Sequence, residues 1–225
     1  HGAVNGLRTG LAIANSDPQA RVLLCAVELC SLHYRYTWDT EGIIGNALFA
    51  DGSGAVVLGQ ISSGLPSTAD HSVPTSCKWY LHDTGSVVIS DSRQAMSWSI
   101  GNHGFDMRLT SDVGDKIEAE LAGWLSNWLS QHGLGVADID FWGVHPGGPR
   151  ILDAVQNSLQ LPPAALTTSR GILQRHGNMS SPTVLFILNE FRQQRIDNSN
   201  TQRQNCILLG FGPGLVAEIA LLSAQ

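Results

Sequence analysis

The chain has 225 residues, of which 43% are hydrophobic and 14% charged, and a formal net charge of −6. That length holds one large domain or two modest ones around a buried core, and the balance suits an α/β protein rather than a disordered or fibrous chain. The acidic balance and the lack of any Lys/Arg run argue against nucleic acid or an anionic membrane as partner, and no apolar stretch approaches the length of a membrane span.

In chain order, residues 2–15 carry a helical pattern, with Ala3, Gly6, Leu7 and Leu11 along one side. The opening HGAVNGLRTG therefore reads as a helix already under way. SDPQA is a turn, and RVLLCAVEL is an apolar run of strand length, the pattern of a strand buried on both faces. HYRYTWDTEG is irregular and aromatic. IIGNALFADGSGAVVLG then predicts a helical turn, a Gly/Asp break and a strand from about Ala55 to Leu58. Residues 60–76, rich in Ser, Pro, Thr and Gly, predict a surface connection that divides the chain into units 1–59 and 77–225.

After the connection, CKWYLH and SVVIS read as the strands of a hairpin and GFDMRLT as a further strand. DVGDKIEAELAGWLSNWLSQHG predicts a long amphipathic helix. Ile117, Leu121, Trp124, Leu125 and Trp128 form its core side, and Asp112 is placed to cap its start. IDFWGVH predicts a buried strand, GGPRILDAVQNSL a helix and SSPTVLFILNEFRQQR a second helix. CILLGFGPGLVAEIALL closes the chain as two strands around a glycine corner. Apolar strands alternating with helices give an α/β class with a layered, sheet-centred architecture.

The four cysteines, Cys25, Cys30, Cys77 and Cys206, show no CxxC spacing. Cys25 and Cys206 sit in apolar runs, which predicts buried thiols and a reducing, cytoplasmic setting. The eight histidines give no pair at metal-ligand spacing on one predicted helix, so the pattern points to no zinc site. Cys30 and His33 could form a nucleophile–base pair or belong to a pocket wall, and the wall is the preferred reading.

Polar residues at the ends of apolar elements are where α/β folds place their sites. His145 follows a buried strand and precedes Pro-Gly-Gly-Pro. An imidazole fixed there can serve as base, acid or oxyanion donor, or simply be satisfied in a turn. Asn178, at the mouth of a strongly apolar helix and followed by Ser180 and Ser181, is an N-cap or an amide donor aimed into a pocket. These residues alone leave both alternatives open. GFGPGL lacks GxGxxG spacing and a following helix, so it reads as a strand corner rather than a nucleotide loop.

Taken together, GVHPGGPRILD, GNMSSPTVLFILNEF and GFGPGL, in this order and spacing, resemble the C-terminal half of the chalcone-synthase-like enzymes, the type III polyketide synthases. NALFADGSGAVVLG and RVLLCAVELCSLHYRY resemble the upstream stretches of that family, with CAVELCSLHYRY closer to its bacterial members. The pair HPGGP and GNMSS separates it from ketoacyl synthase III enzymes, which carry HQAN and GNTSA-like motifs.

The resemblance implies a thiolase-like layered αβαβα architecture, with a partial N-terminal half and a complete C-terminal half. It also implies a Cys-His-Asn triad. His145 matches the family histidine and Asn178 the asparagine, while Phe49 matches a gatekeeper between the CoA tunnel and the reaction cavity. Cys30, His33, Trp98, Met107 and Ser180 fall at or beside cavity-lining positions, with Gly212 and Pro213 in the scaffold. The family's nucleophilic cysteine would stand immediately before His1, which makes this chain the downstream part of a longer enzyme.

In the implied chemistry a cysteine thiolate, kept ionised by an adjacent imidazolium, takes the acyl group of an acyl-CoA starter. His145 and Asn178 then stabilise the enolate that malonyl-CoA gives on losing carbon dioxide, and decarboxylative Claisen steps extend the chain towards a pyrone- or resorcinol-type product. No cofactor or metal is implied, the CoA thioesters being substrates, and the family is typically homodimeric. A single-step ketoacyl synthase III-like enzyme and a non-catalytic subunit that pairs with a complete protomer are the alternatives.

Overall fold

The computed structural model describes residues 1–224 apart from 35, 37, 39, 61–77, 102, 103, 200 and 201, and of residues 41, 101 and 104–108 only the backbone is described. The first unit comprises α1 (Gly2–Ser16), β1 (Arg21–Glu28), α2 (Thr40–Leu48) and β2 (Gly52–Gly59). Next come β3 (Trp79–Val88), β4 (Met96–Gly101), β5 (Gly104–Leu109) and α3 (Val113–Ser130). The chain ends with β6 (Phe141–Val144), α4 (Pro149–Ser158), α5 (Thr167–His176), α6 (Thr183–Asp197), β7 (Gln204–Gly212) and β8 (Val216–Ala224).

β7 and β8 are buried on both faces, and the alternation of their side chains sets the layering. These strands lie at the centre of a sheet ordered β3-β8-β7-β6, antiparallel except for the parallel β6–β7 pair. Ile207, Leu209 and Phe211, with Ala217, Ile219 and Leu221, face one way, into a core shared with Ile117, Leu121, Leu125, Leu152 and Val155 of α3 and α4. Cys206, Leu208, Ala220 and Leu222 face the other way, against Val4 and Leu7 of α1 and Val184, Ile187 and Phe191 of α6. Alternate side chains of one strand thus enter two cores, which is why both strands read as continuous apolar runs. Each fully buried Leu or Ile contributes about 1.5–3 kcal/mol relative to exposure.

The antiparallel β1–β2 pair lies on the far side of α1 and α6, and Leu24, Ala26, Val56 and Leu58 close onto the second core. The described layers therefore run α3/α4, four-stranded sheet, α1/α6, β1–β2. The β4–β5 ribbon is a separate antiparallel pair. The β7–β8 corner is pinned from outside: Gly214 N–H donates to Met96 O at 2.7 Å, and Ile89 N–H donates to Leu215 O at 3.1 Å.

Several expectations need correction. β1 is buried on one face only: Leu23 and Val27, like Val57 across from Leu23, are 64% exposed. Cys25 shares that outer face and is exposed, whereas Cys206 is buried and its thiol is pushed up by burial. CKWYLH and SVVIS do not form a hairpin. Trp79–Val88 is instead one continuous strand, β3, which pairs with β8 through a register shift between Leu81 and Asp83. The Asp-Thr-Gly that reads as a turn is strand; a Cβ on Gly85 would stand 2.7 Å from Trp128 Nε1, so glycine there admits the indole.

Asp112 stands at the start of α3 but makes no capping bond. Its carboxylate instead accepts from the Thr110 hydroxyl and lies 3.5 Å from Lys116 Nζ. The Trp residues of α3 do serve the core, Trp128 being buried with Trp124 stacked on it. β2 begins three residues earlier than expected, and α2 extends to nine residues. Neither β4 nor α5 carries a sequence pattern that announced it. The surface connection expected over residues 60–76 lies, apart from Gln60, outside the described residues, as does Cys77.

Candidate active site

β6 delivers His145. The strand ends at Val144, and the His145 N–H extends the pairing with β7 by donating to Leu209 O at 2.7 Å. The ring is 7% exposed, and its Nδ1 is buried without a hydrogen-bond partner among the described residues. Burial pushes the ring's proton affinity down to about 3, so the imidazole is neutral at pH 7. After Pro146 the Gly147 N–H turns back onto His145 O at 3.0 Å, and Pro149 opens α4.

α5 delivers Asn178. This residue does not cap α6, which starts five residues later at Thr183 with Pro182 before it. Asn178 is 3% exposed and its amide is held from both sides. Oδ1 accepts from the Ser180 N–H at 2.9 Å, and Nδ2 donates to Gly147 O at 3.3 Å. The second contact ties the amide to the loop that carries His145. It leaves the other N–H of the same nitrogen for the cavity.

One cavity of about 220 Å³ gathers these groups. His145, Asn178, Phe49, Trp98, Ser180, Gly212 and Pro213 all line it. Met107 lies directly across from Trp98 on the β4–β5 ribbon, and its side chain is outside the described residues. Cys30 and His33 lie apart from this lining, on the turn Cys30–His33 after β1. The Cys30 thiol is raised by burial first and then by Glu28 and Asp51, the opposite of an activated nucleophile.

Sequence reasoning missed Met96, Leu109, Ile151 and Phe211, which supply the apolar wall, together with His1, Gly2, Gly147 and Ser181. Apolar wall residues carry no local signal that separates them from core. His1 enters because Gly212 has no side chain: a Cβ there would stand 2.3 Å from His1 Nδ1. Among the described residues no three His, Cys, Asp or Glu side chains gather as a metal site, and no helix is long and apolar enough to cross a membrane.

The arrangement places a neutral imidazole and a carboxamide N–H at the wall of one small, largely apolar chamber. Fixed neutral donors in such a chamber stabilise a developing oxyanion or enolate and need no reorganisation when it forms.

Comparison with known proteins accords with that geometry. The family described as chalcone and stilbene synthases, C-terminal domain, matches residues 80–224. A 1,3,6,8-tetrahydroxynaphthalene synthase from Streptomyces peucetius subsp. caesius is 34% identical over 210 residues, 91% of this chain and 52% of that protein. The crystal structure of PKS-I from the brown alga Ectocarpus siliculosus superimposes with a TM-score of 0.86 at 29% identity, over 98% of this chain and 57% of that one. The C-terminal type III polyketide synthase domain of Steely1 from Dictyostelium shares the fold, with a TM-score of 0.82 at 24% identity, over 98% of this chain and 58% of that one. The chain thus spans little more than half the length of these relatives. With the family match covering well over half of its residues, and the thiolase-like fold shared with those structures, the chain belongs to the chalcone and stilbene synthase family, the type III polyketide synthases.

Proposed function

We propose that the protein containing this chain is an acyltransferase that condenses an acyl-CoA starter with malonyl-CoA by decarboxylative Claisen steps and cyclises the product to a pyrone or resorcinol. The observation that carries this reading is the meeting of His145, Asn178 and Phe49 on one cavity.

In the proposed cycle a cysteine immediately upstream of His1 takes the acyl group as a thioester and CoA leaves as the thiol. Burial favours neutral His145, so the imidazolium of the thiolate pair forms only when the thiolate itself offsets the desolvation. Malonyl-CoA then loses carbon dioxide, and the electron pair of the broken bond becomes an enolate whose oxygen accepts from His145 and Asn178. The enolate carbon attacks the enzyme thioester, a carbon–carbon bond forms, and the cysteine leaves as thiolate. Decarboxylation supplies the carbanion, so the cycle calls for no cofactor. Phe49 stands at the wall as the guard between CoA and the growing chain. A reducing, cytoplasmic setting and a homodimer complete the reading.

The test is incubation of the full-length protein with labelled malonyl-CoA and acyl-CoA starters of several lengths. Pyrones or resorcinols are the expected products; a single β-ketoacyl product held on acyl carrier protein would overturn the reading. His145→Ala and Asn178→Ala should each lower malonyl decarboxylation by about 10²–10³-fold, the effect of removing one oxyanion donor. Wild-type rates in either variant would remove that residue from the role.

A further inference from the structure

We infer that Gly177 is a positioning residue that locks the backbone of Phe49 to that of Asn178, so that the cavity guard and the amide donor move as one body. The inference rests on the reading of the site proposed above. α5 closes its last turn with the Gly177 N–H donating to Leu173 O at 2.9 Å. Gly177 then takes φ 73 and ψ −170, a conformation that residues with a Cβ avoid. The reversal lays Asn178 beside the end of α2 in an isolated parallel bridge with Phe49. Asn178 N–H donates to Leu48 O at 2.8 Å, and Ala50 N–H donates to Asn178 O at 3.0 Å.

Both backbone groups of Asn178 are thereby committed to the residues flanking Phe49, while its side chain is committed to Ser180 and Gly147. Phe49 is held in turn, its N–H donating to Gly45 O at 3.0 Å. A Cβ at position 177 would stand 2.9 Å from the Ala50 Cβ and 3.1 Å from Leu48 O, so any side chain there drives the two strands of the bridge apart. Two consequences follow. Opening at Phe49 is confined to side-chain rotation, because its backbone cannot retreat without dragging the amide donor. The width of the cavity at its guard and the place of the donor are set by one contact, so a change in that contact alters rate and product length together.

The experiment is Gly177→Ala in the full-length protein. Malonyl decarboxylation per acylated site should fall by about a hundredfold, the effect of a donor displaced by about 1 Å, and the ratio of products with different numbers of extensions should shift. Starter acylation forms its own oxyanion at the same donors, so it is measured in parallel and decarboxylation is normalised to the acylated fraction. A residue serving only stability would lower the melting temperature and leave the product ratio alone. A folded variant with the parent's ratio and rate overturns the inference.

If Gly177→Ala does not fold, an ester in place of the Ala50 amide (lactic acid at that position) removes the same bond without added volume, and the same outcomes decide. Hydrogen exchange gives a readout that does not depend on activity. In either variant the Asn178 amide should lose protection together with the Phe49 amide, and loss at only one of them defeats the coupling. A parent enzyme that fails to decarboxylate malonyl-CoA defeats the proposed function, and the exchange data then still judge the bridge.

Discussion

Arg8 on α1 reaches Glu218 on β8, Nη2 to Oε2 at 2.9 Å, and the same carboxylate accepts from the Ser86 hydroxyl at 2.8 Å. Glu218 is 4% exposed, so the helix that opens the chain is fastened to the central sheet by a buried charge. Arg8→Ala leaves that charge with the Ser86 hydroxyl and without its guanidinium. Removing one partner of a fully buried pair costs about 3–5 kcal/mol, and water reaching the partly exposed Arg8 end lowers this to about 2 kcal/mol. Urea denaturation should show the loss, and adding Glu218→Gln to Arg8→Ala should restore part of it. Strict additivity of the two changes would mean that the pair is not coupled.

Gly212 governs how close His1 can come. Gly212→Ala brings a Cβ to 2.3 Å from the His1 ring, and overpacking of this kind costs about 1–3 kcal/mol. The strain falls at the start of α1, beside the place proposed for the nucleophile. Capture of labelled acyl groups from acyl-CoA should therefore slow in the variant. Unchanged acylation together with unchanged stability would show that the ring can give way.

The neutral ring of His145 makes stability depend on pH. Its ordinary value of 6.5 falls to about 3 on folding, chiefly through burial. Between those values the unfolded chain binds a proton that the folded chain refuses. The contribution is complete above about pH 6.5 and is lost as pH falls towards 3, at about 1.4 kcal/mol per pH unit. Denaturation midpoints at pH 7, 6 and 5 should fall more steeply for the parent than for His145→Gln. Parallel curves would contradict the assigned burial effect.

Trp98 is the largest side chain on the cavity wall and is 44% exposed. Trp98→Ala enlarges the chamber on the side of the β4–β5 ribbon without opening a core. Longer starters or additional extensions should then be accepted, read as a shift of product masses upward at similar stability. An identical product spectrum would place length control elsewhere on the wall.

The site was more legible in the sequence than its surroundings. His145 and Asn178 stand at the ends of apolar elements, but only the order of HPGGP, GNMSS and GFGPGL separates them from a turn histidine and a helix cap. Met96, Leu109, Ile151 and Phe211 look like any core residue until the ribbon and the sheet bring them to one chamber. α5 escapes notice because TTSRGILQRH buries only Ser169 and Ile172, too few for a stripe. β3 escapes because Gly85 serves the Trp128 indole rather than a turn. Continuous apolarity in β1 overstates its burial, since one face meets α1 and α6 and the other meets solvent. Cys30 and His33, placed at the cavity by resemblance, stand on the turn after β1 and are not among the residues that line this chamber.

The corner between β7 and β8 also bears on the order in which the molecule comes together. Gly212 and Val216 pair across it, so this ribbon closes by local contact. β6 joins β7 only by bringing Trp142 to Ile207, and β3 joins β8 only by bringing Trp79 to Ala224. Distant pairings must meet their loop-closure entropy before they contribute stability, which places them late. The β7–β8 ribbon, like β4–β5, needs no such long closure. His145 follows β6 directly, so the chamber waits on the β6–β7 closure.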